Sequence, residues 1–167
     1  MKLHLLITNM KRIKIIPFFS SILIAQAAGI IGSIFTVSSI NSWYNTIAKP
    51  SWNPPSWIFG PVWISLYTLM GIAAYLIWCS KKSTQRNNAL GIYGIQLLLN
   101  STWSILFFGI KRPDLAFVEV LVLLTMIILT IIKFDKISRT ASVLLAPYLA
   151  WVSLATILNY NIWQLNS

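Results

Sequence analysis

Acidic side chains are nearly missing from this sequence: three Asp and Glu stand among 167 residues, with one cysteine and one histidine. A lone cysteine, Cys79, excludes a disulfide within the chain. The only histidine, His4, lies near the N-terminus, so neither a Ser/His/Asp set nor a Cys/His cluster with metal-ligand spacing can be assembled. No glycine-rich phosphate loop is written in the chain either. Charge of any sign is scarce at 10%, where a soluble domain of this length carries about a quarter. That scarcity argues against a water-soluble fold.

What fills the chain instead is apolar. Uncharged runs occupy 15–48, 50–80, 87–110 and 140–167, and a fifth run at 115–132 is broken only by Glu119. Each is long enough for the roughly 17–25 residues that cross the hydrocarbon layer as a helix. A closed barrel would need strands of about ten residues alternating polar with apolar, and no such alternation is present. The sequence therefore predicts an all-α membrane protein, one domain over 1–167, with a bundle of five transmembrane helices near 15–40, 57–79, 89–110, 114–133 and 140–163. A loop over 41–56 joins the first two.

The net charge of +10 does not form a nucleic-acid face, because the basic residues flank the apolar runs. Lys2, Lys11, Arg12, Lys14, Lys81, Lys82, Arg86, Lys133, Lys136 and Arg139 fall on one side of the bundle and Lys49, Lys111 and Arg112 on the other. By the positive-inside rule the N-terminus is cytoplasmic, and the 41–56 loop and the C-terminus face outward. The basic start and Ala25-Gln26-Ala27 also resemble a signal peptide, but the apolar run continues to Ile40, which favours a retained helix. On that helix Ala25, Gly29 and Ser33, and Ala28 with Gly32, repeat at the four-residue spacing of close helix packing.

Asp114 and Asp135 sit at expected helix ends, where Asp114 suits the positive N-terminus of its helix. Glu119 lies about a turn and a half inside a span, where a carboxylate is costly without a partner. Two readings follow: a hydrogen-bonded structural or interfacial acid, or a proton or ligand site.

The chain carries eight Trp, eight Phe and six Tyr. Trp78 and Trp163 suit the aromatic belts at the two interfaces. Others fall on helical stripes: Trp63, Tyr67, Met70 or Gly71 and Ala74 in the second segment; Tyr93, Gln96, Asn100, Trp103 and Phe107 in the third; Tyr148, Trp151, Ala155 and Leu158 in the fifth. Rings offer stacking area, amides orient a ligand, and the small Ala155 leaves space, so three converging stripes would suit a flat apolar ligand. Ordinary helix packing is the competing account. Pro147 removes a backbone donor and can open the fifth helix locally. The loop from Trp43 to Trp57 holds three prolines and three tryptophans, too stiff and too apolar for a free linker, and is expected to fold over the bundle as a lid.

At this loop the residues become familiar. Trp43-Tyr44, then Lys49-Pro50-Ser51-Trp52-Asn53-Pro54-Pro55, then Gly60-Pro61-Val62-Trp63 closely resembles the TspO/MBR family, which includes tryptophan-rich sensory and translocator proteins. The likeness runs on through Leu66-Tyr67, Met70-Gly71, Trp78, Gln96 to Asn100 with Trp103, and Pro147-Tyr148-Leu149 with Trp151, Ala155 and Leu158-Asn159-Tyr160.

The resemblance implies a five-helix receptor, commonly a homodimer in the bilayer. Its cavity accepts porphyrins, such as protoporphyrin or heme-like molecules, and other hydrophobic ligands, without a required cofactor. Position by position, it places Trp52 in the lid, Trp63 and Trp151 as paired cavity tryptophans, and Asn100 and Ala155 in the wall. Tyr44, Tyr67, Trp103 and Leu158 match further wall positions. It also implies two alternatives: light- and oxygen-dependent porphyrin degradation through Trp63 and Trp151, and transport of the ligand. The sterol motif of the animal members ends in a basic residue where Gln164 stands here, which weighs against sterol recognition.

Overall fold

The computed structural model describes residues 14–167; His4 and the basic Lys2, Lys11 and Arg12 lie outside the described residues. Among the described residues seven α-helices follow in order: α1 Ile15–Ile40, α2 Trp43–Thr46, α3 Phe59–Trp78, α4 Thr84–Ser104, α5 Pro113–Asp135, α6 Arg139–Val143 and α7 Ala146–Leu165. A 3-10 turn at Ser56–Ile58 leads into α3, and a π-helical turn at Ile105–Gly109 extends α4. Five spans result, namely α1, α3, α4, α5 and the broken pair α6–α7, each long and apolar enough to cross a membrane. No strand occurs among the described residues.

The first span has the expected bounds, while the others depart from them for local reasons. The third begins at Thr84 and not near residue 89, because Ser83 caps it by accepting the Arg86 backbone N–H at 3.2 Å. Its polar opening, Thr84 to Asn88, extends the helix beyond the apolar stretch. The fifth span is interrupted at Leu144 and Leu145: Ser138 caps the short α6 through the Ala141 N–H at 3.3 Å, and Pro147 then sits in the first turn of α7, where its missing donor costs nothing. Pro113 opens α5 in the same way, after Lys111 turns the chain with φ 60°.

α1 buries only Ala25, Gly32 and Ser39, a seam of small residues seven apart, and turns Leu23, Ile30, Ile34 and Val37 outward. In water such a helix would expose a large apolar face; in a bilayer that face meets lipid. The seam brings backbones together. Ser101 Oγ donates to the Ala28 carbonyl at 2.8 Å, and Ser39 Oγ to the Phe108 carbonyl at 2.8 Å. A Cβ added at Gly71 would lie 2.5 Å from Ile22 Cα, so α3 and α1 touch there only because that residue is glycine. Ser33, expected among the packing residues, is exposed, because its helix face turns away from the seam.

Two apolar clusters fill the bundle. One around Met70, Ile77, Tyr93, Ile127, Phe134 and Tyr148 occupies most of its length. The other, around Tyr44, Phe107, Phe108, Leu158 and Ile162, lies beneath the 41–56 loop. Because successive spans run antiparallel, Lys14, Lys81, Lys82, Arg86, Lys133, Lys136 and Arg139 collect at one end and Lys49, Lys111 and Arg112 at the other.

Candidate functional site

Between the loop and the main core lies a cavity of about 520 Å³, within the 300–1,000 Å³ usual for pockets that hold drug-sized ligands. Its wall is aromatic. Trp63 stacks on Tyr67 with ring centroids 5.4 Å apart, and Trp103 stacks on Phe107 at 5.0 Å. Trp151 meets the edge of Phe59 at 6.1 Å, and Ala155 and Leu158 continue the α7 side. Tyr44, Trp63, Tyr67, Trp103, Trp151, Ala155 and Leu158 all border this one space.

The polar groups of the three stripes meet behind the wall. The Tyr67 hydroxyl donates to Asn100 Oδ1, Asn100 Nδ2 donates to the Tyr148 hydroxyl at 2.9 Å, and that hydroxyl donates to Gln96 Oε1 at 2.8 Å. Asn100, placed in the ligand wall by resemblance, is thus buried outside the lining, its amide engaged by two tyrosines. Trp103 Nε1 is likewise occupied, donating to Asn159 Oδ1 at 2.9 Å, while Asn159 Nδ2 donates to the Pro113 carbonyl at 2.7 Å. The indole N–H groups of Trp63 and Trp151 make no hydrogen bond to a described residue, although both rings border the cavity.

The loop closes one end of the cavity through Tyr44. Its hydroxyl donates to Asn53 Oδ1 at 2.7 Å, and Lys49 Nζ lies 5.0 Å from its ring centroid while donating to the Tyr44 and Ile47 carbonyls at 2.6 and 2.8 Å. Burial of the Tyr44 phenol pushes its pKa up to about 12. Asn166 ties the loop to the C-terminus, accepting the Ala48 N–H at 3.0 Å and donating to the Ala48 carbonyl at 2.9 Å. Trp52 belongs to this loop but is exposed and does not border the cavity; Trp57, which the stripes did not select, does.

Sequence reading also passed over the contribution of α1. Gln26, Gly29, Ser33 and Val37 border the cavity, and Gln26 was the available signal, the single amide of its span. Its Nε2 bridges to α3, donating to the Ile64 carbonyl and to Thr68 Oγ1, both at 3.0 Å. Both carboxylate oxygens of Glu119 lack a hydrogen-bond partner among the described residues. The reading of a hydrogen-bonded acid is corrected on this point, since the neighbouring inward face of α5 is Ala116, Val120 and Leu123, which offer no side-chain donor. No cluster of metal-ligating side chains occurs among the described residues.

Five apolar spans, a cavity walled by rings and a tethered loop across one end define an integral, multi-pass helical membrane protein built around an apolar pocket. The chain belongs to the TspO/MBR family, whose sequence profile matches residues 21–164. It is 44% identical over 141 residues to the tryptophan-rich protein TspO of Chlorobaculum tepidum, covering 84% of this chain and 89% of that one. The translocator protein of Ovis aries is 37% identical over 153 residues, covering 90% of each chain. A tryptophan-rich sensory protein of Cereibacter sphaeroides is 40% identical over 126 residues, covering 75% of this chain and 78% of that one.

Proposed function

We propose that this protein is a membrane receptor that binds a porphyrin-like tetrapyrrole, of the protoporphyrin or heme type, or another flat hydrophobic molecule, in the aromatic cavity. One observation carries the reading: the Tyr67 phenol bonds into the network of amides and phenol packed behind the wall, leaving ring faces toward the space. Such a wall gains from stacking and loses little from desolvation, the balance a broad apolar ring system requires. The indole N–H groups of Trp63 and Trp151, which bond to no described residue, are donors suited to a carboxylate at the edge of such a ligand. Titrating the purified protein with protoporphyrin IX, followed by tryptophan quenching, tests this. Saturable binding tighter than to empty detergent micelles, weakened by Ala155→Phe, is expected; binding equal to that of micelles would overturn it.

A second reading, a light- and oxygen-dependent porphyrin-degrading enzyme, is favoured by the two oxidisable indoles on the same cavity. A third, transport of the ligand, would appear as movement of protoporphyrin between vesicle compartments. In our reading the N-terminus is cytoplasmic and the loop end faces outward, supported by the ten-to-three division of basic residues. The protein acts in the bilayer as a homodimer, a state suggested by family resemblance, which cross-linking in vesicles would test.

A further inference from the structure

We propose that the cavity is loaded sideways from the hydrocarbon layer, through a gap between α1 and α3 bordered by Ile30, Ser33, Val37, Gly60 and Ile64, and not past the lid. The inference rests on the hydrophobic-ligand reading above. Val37 is 69% and Ile64 62% exposed, yet both border the cavity. A side chain can do both only where the cavity breaks the outer surface of the bundle. That surface faces lipid, because Ile30, Ile34 and Val37 lie on the outward side of a spanning helix.

The arrangement of α1 and α3 explains why the gap occurs there. At one end the helices are locked: Gly71 admits the Ile22 backbone, Phe18 meets the Tyr75 ring edge-on at 5.3 Å, and the Lys14 N–H donates to the Tyr75 hydroxyl at 3.0 Å. The last polar tie is Gln26 to Ile64 and Thr68. Beyond Gln26, toward the lid, no described hydrogen bond joins the two helices. Gly60 supplies no side chain to bridge the space, and a Cβ built there meets no atom within 4 Å. The rim is also fitted to hydrocarbon. Its one hydroxyl, Ser33 Oγ, turns back to the Ile30 carbonyl at 2.8 Å and so presents no unsatisfied donor to lipid.

The other end, in contrast, is fastened. Asn166 holds both backbone polar groups of Ala48, Lys49 holds two loop carbonyls, and Tyr44 is pinned to Asn53. Loading past the loop would break several of these bonds, while loading between α1 and α3 breaks none. The molecule that uses the gap is therefore one already dissolved in the bilayer, flat enough to pass between two helices.

Vesicles containing the protein and loaded with protoporphyrin IX test the route by stopped-flow tryptophan quenching. Gly60→Trp, which plugs the gap, should slow association and release together by tenfold or more, whereas Asn166→Ala, which unfastens the lid, should change either by less than about threefold. The reverse pattern would overturn the side route. A second measurement does not depend on porphyrin. In a Cys79→Ser background, Ala155→Cys should react with pyrene maleimide dissolved in the bilayer, and adding Gly60→Trp should slow that reaction tenfold. Equal labelling with and without the plug, or faster labelling by a charged aqueous thiol reagent, would refute the route even if porphyrin never bound. Absent porphyrin binding combined with plug-sensitive labelling would instead remove the ligand assignment and keep the route.

Discussion

Asn100 and Tyr148 are joined across α4 and α7 by a 2.9 Å hydrogen bond from the amide to the phenol, and the same amide accepts from Tyr67 on α3. Three spans that carry no charge on their facing stripes are thereby registered by one buried side chain. The arrangement sets the cavity wall from behind: Tyr67 presents its ring to the space because its hydroxyl is held by Asn100.

Removing that centre should act on stability before affinity. Asn100→Ala leaves two buried phenols short of a partner, and interhelical hydrogen bonds in membranes are each worth about 0.6 kcal/mol on average, with maxima near about 1.7. A loss of about 1–2 kcal/mol in detergent unfolding is expected, with Tyr148→Phe, which also removes two interhelical hydrogen bonds, losing a similar amount. Were Asn100 a direct ligand contact, affinity would fall in Asn100→Ala while stability held, and comparing the two measurements separates the cases.

The seam between α1 and α3 gives the second expectation. A methyl at Gly71 would approach Ile22 Cα to 2.5 Å, a backbone atom that cannot rotate away. Gly71→Ala should destabilise by about 1–3 kcal/mol, the range for overpacked interiors. Gly94→Ala is the control, since a Cβ there meets nothing within 4 Å, and in mid-helix it should be neutral or stabilising. Equal melting temperatures for the two variants would mean that α1 and α3 do not pack as described.

The parts of this architecture that were legible in the sequence are those that the bilayer imposes. Hydrocarbon thickness fixes span length, so Ile15–Ile40 could be read directly, and helical periodicity put Tyr67, Asn100 and Tyr148 on stripes that do meet. Periodicity assigns a face but not a depth, which is why Asn100 was expected in the wall when it stands behind it. α1 shows a stripe of small residues, which reads as packing, and no stripe of rings, so its share of the site stayed hidden. The π-helical turn at Ile105–Gly109, closed by the Ile110 N–H to the Ile105 carbonyl at 2.8 Å, shifts the register that brings Phe108 to the cavity beside Phe107. No residue in Ile-Leu-Phe-Phe-Gly announces it.

Tyr44 provides a pH-dependent reading of the lid. Its pKa is raised to about 12 by burial, so the folded protein holds the neutral phenol where an unfolded chain, with a tyrosine pKa of about 10, has lost the proton. The stabilisation from this group is complete below pH of about 10 and is lost as pH rises toward about 12. The difference in tyrosinate absorbance between wild type and Tyr44→Phe should show one phenol ionising near pH 12. Asn53→Ala removes the partner of the hydroxyl and should loosen the loop, seen as faster backbone hydrogen exchange over residues 44–53. Ionisation of Tyr44 at an ordinary pH of about 10 would mean that the lid does not bury it.

Trp63 and Trp151 separate binding from chemistry, because an indole that borders the cavity can stack on a porphyrin without reacting and can also be oxidised beside an excited pigment. Trp63→Phe and Trp151→Phe keep a large ring face, so affinity for protoporphyrin IX should fall by less than about tenfold, the equivalent of about 1.4 kcal/mol. Ala155→Phe places a ring where the α7 side of the cavity is narrowest in side-chain bulk, and should abolish most binding. Under illumination in air, any protein-dependent conversion should drop sharply in both tryptophan variants while their bound fraction stays high. Running each variant at equal porphyrin occupancy, in air and under argon, makes the comparison independent of affinity. If wild type and both variants convert the pigment at the same rate in air, the porphyrin is photo-oxidising on its own. The enzyme reading then fails while the receptor reading stands, because stacking against Trp63 and Trp151 requires no electron to leave either indole.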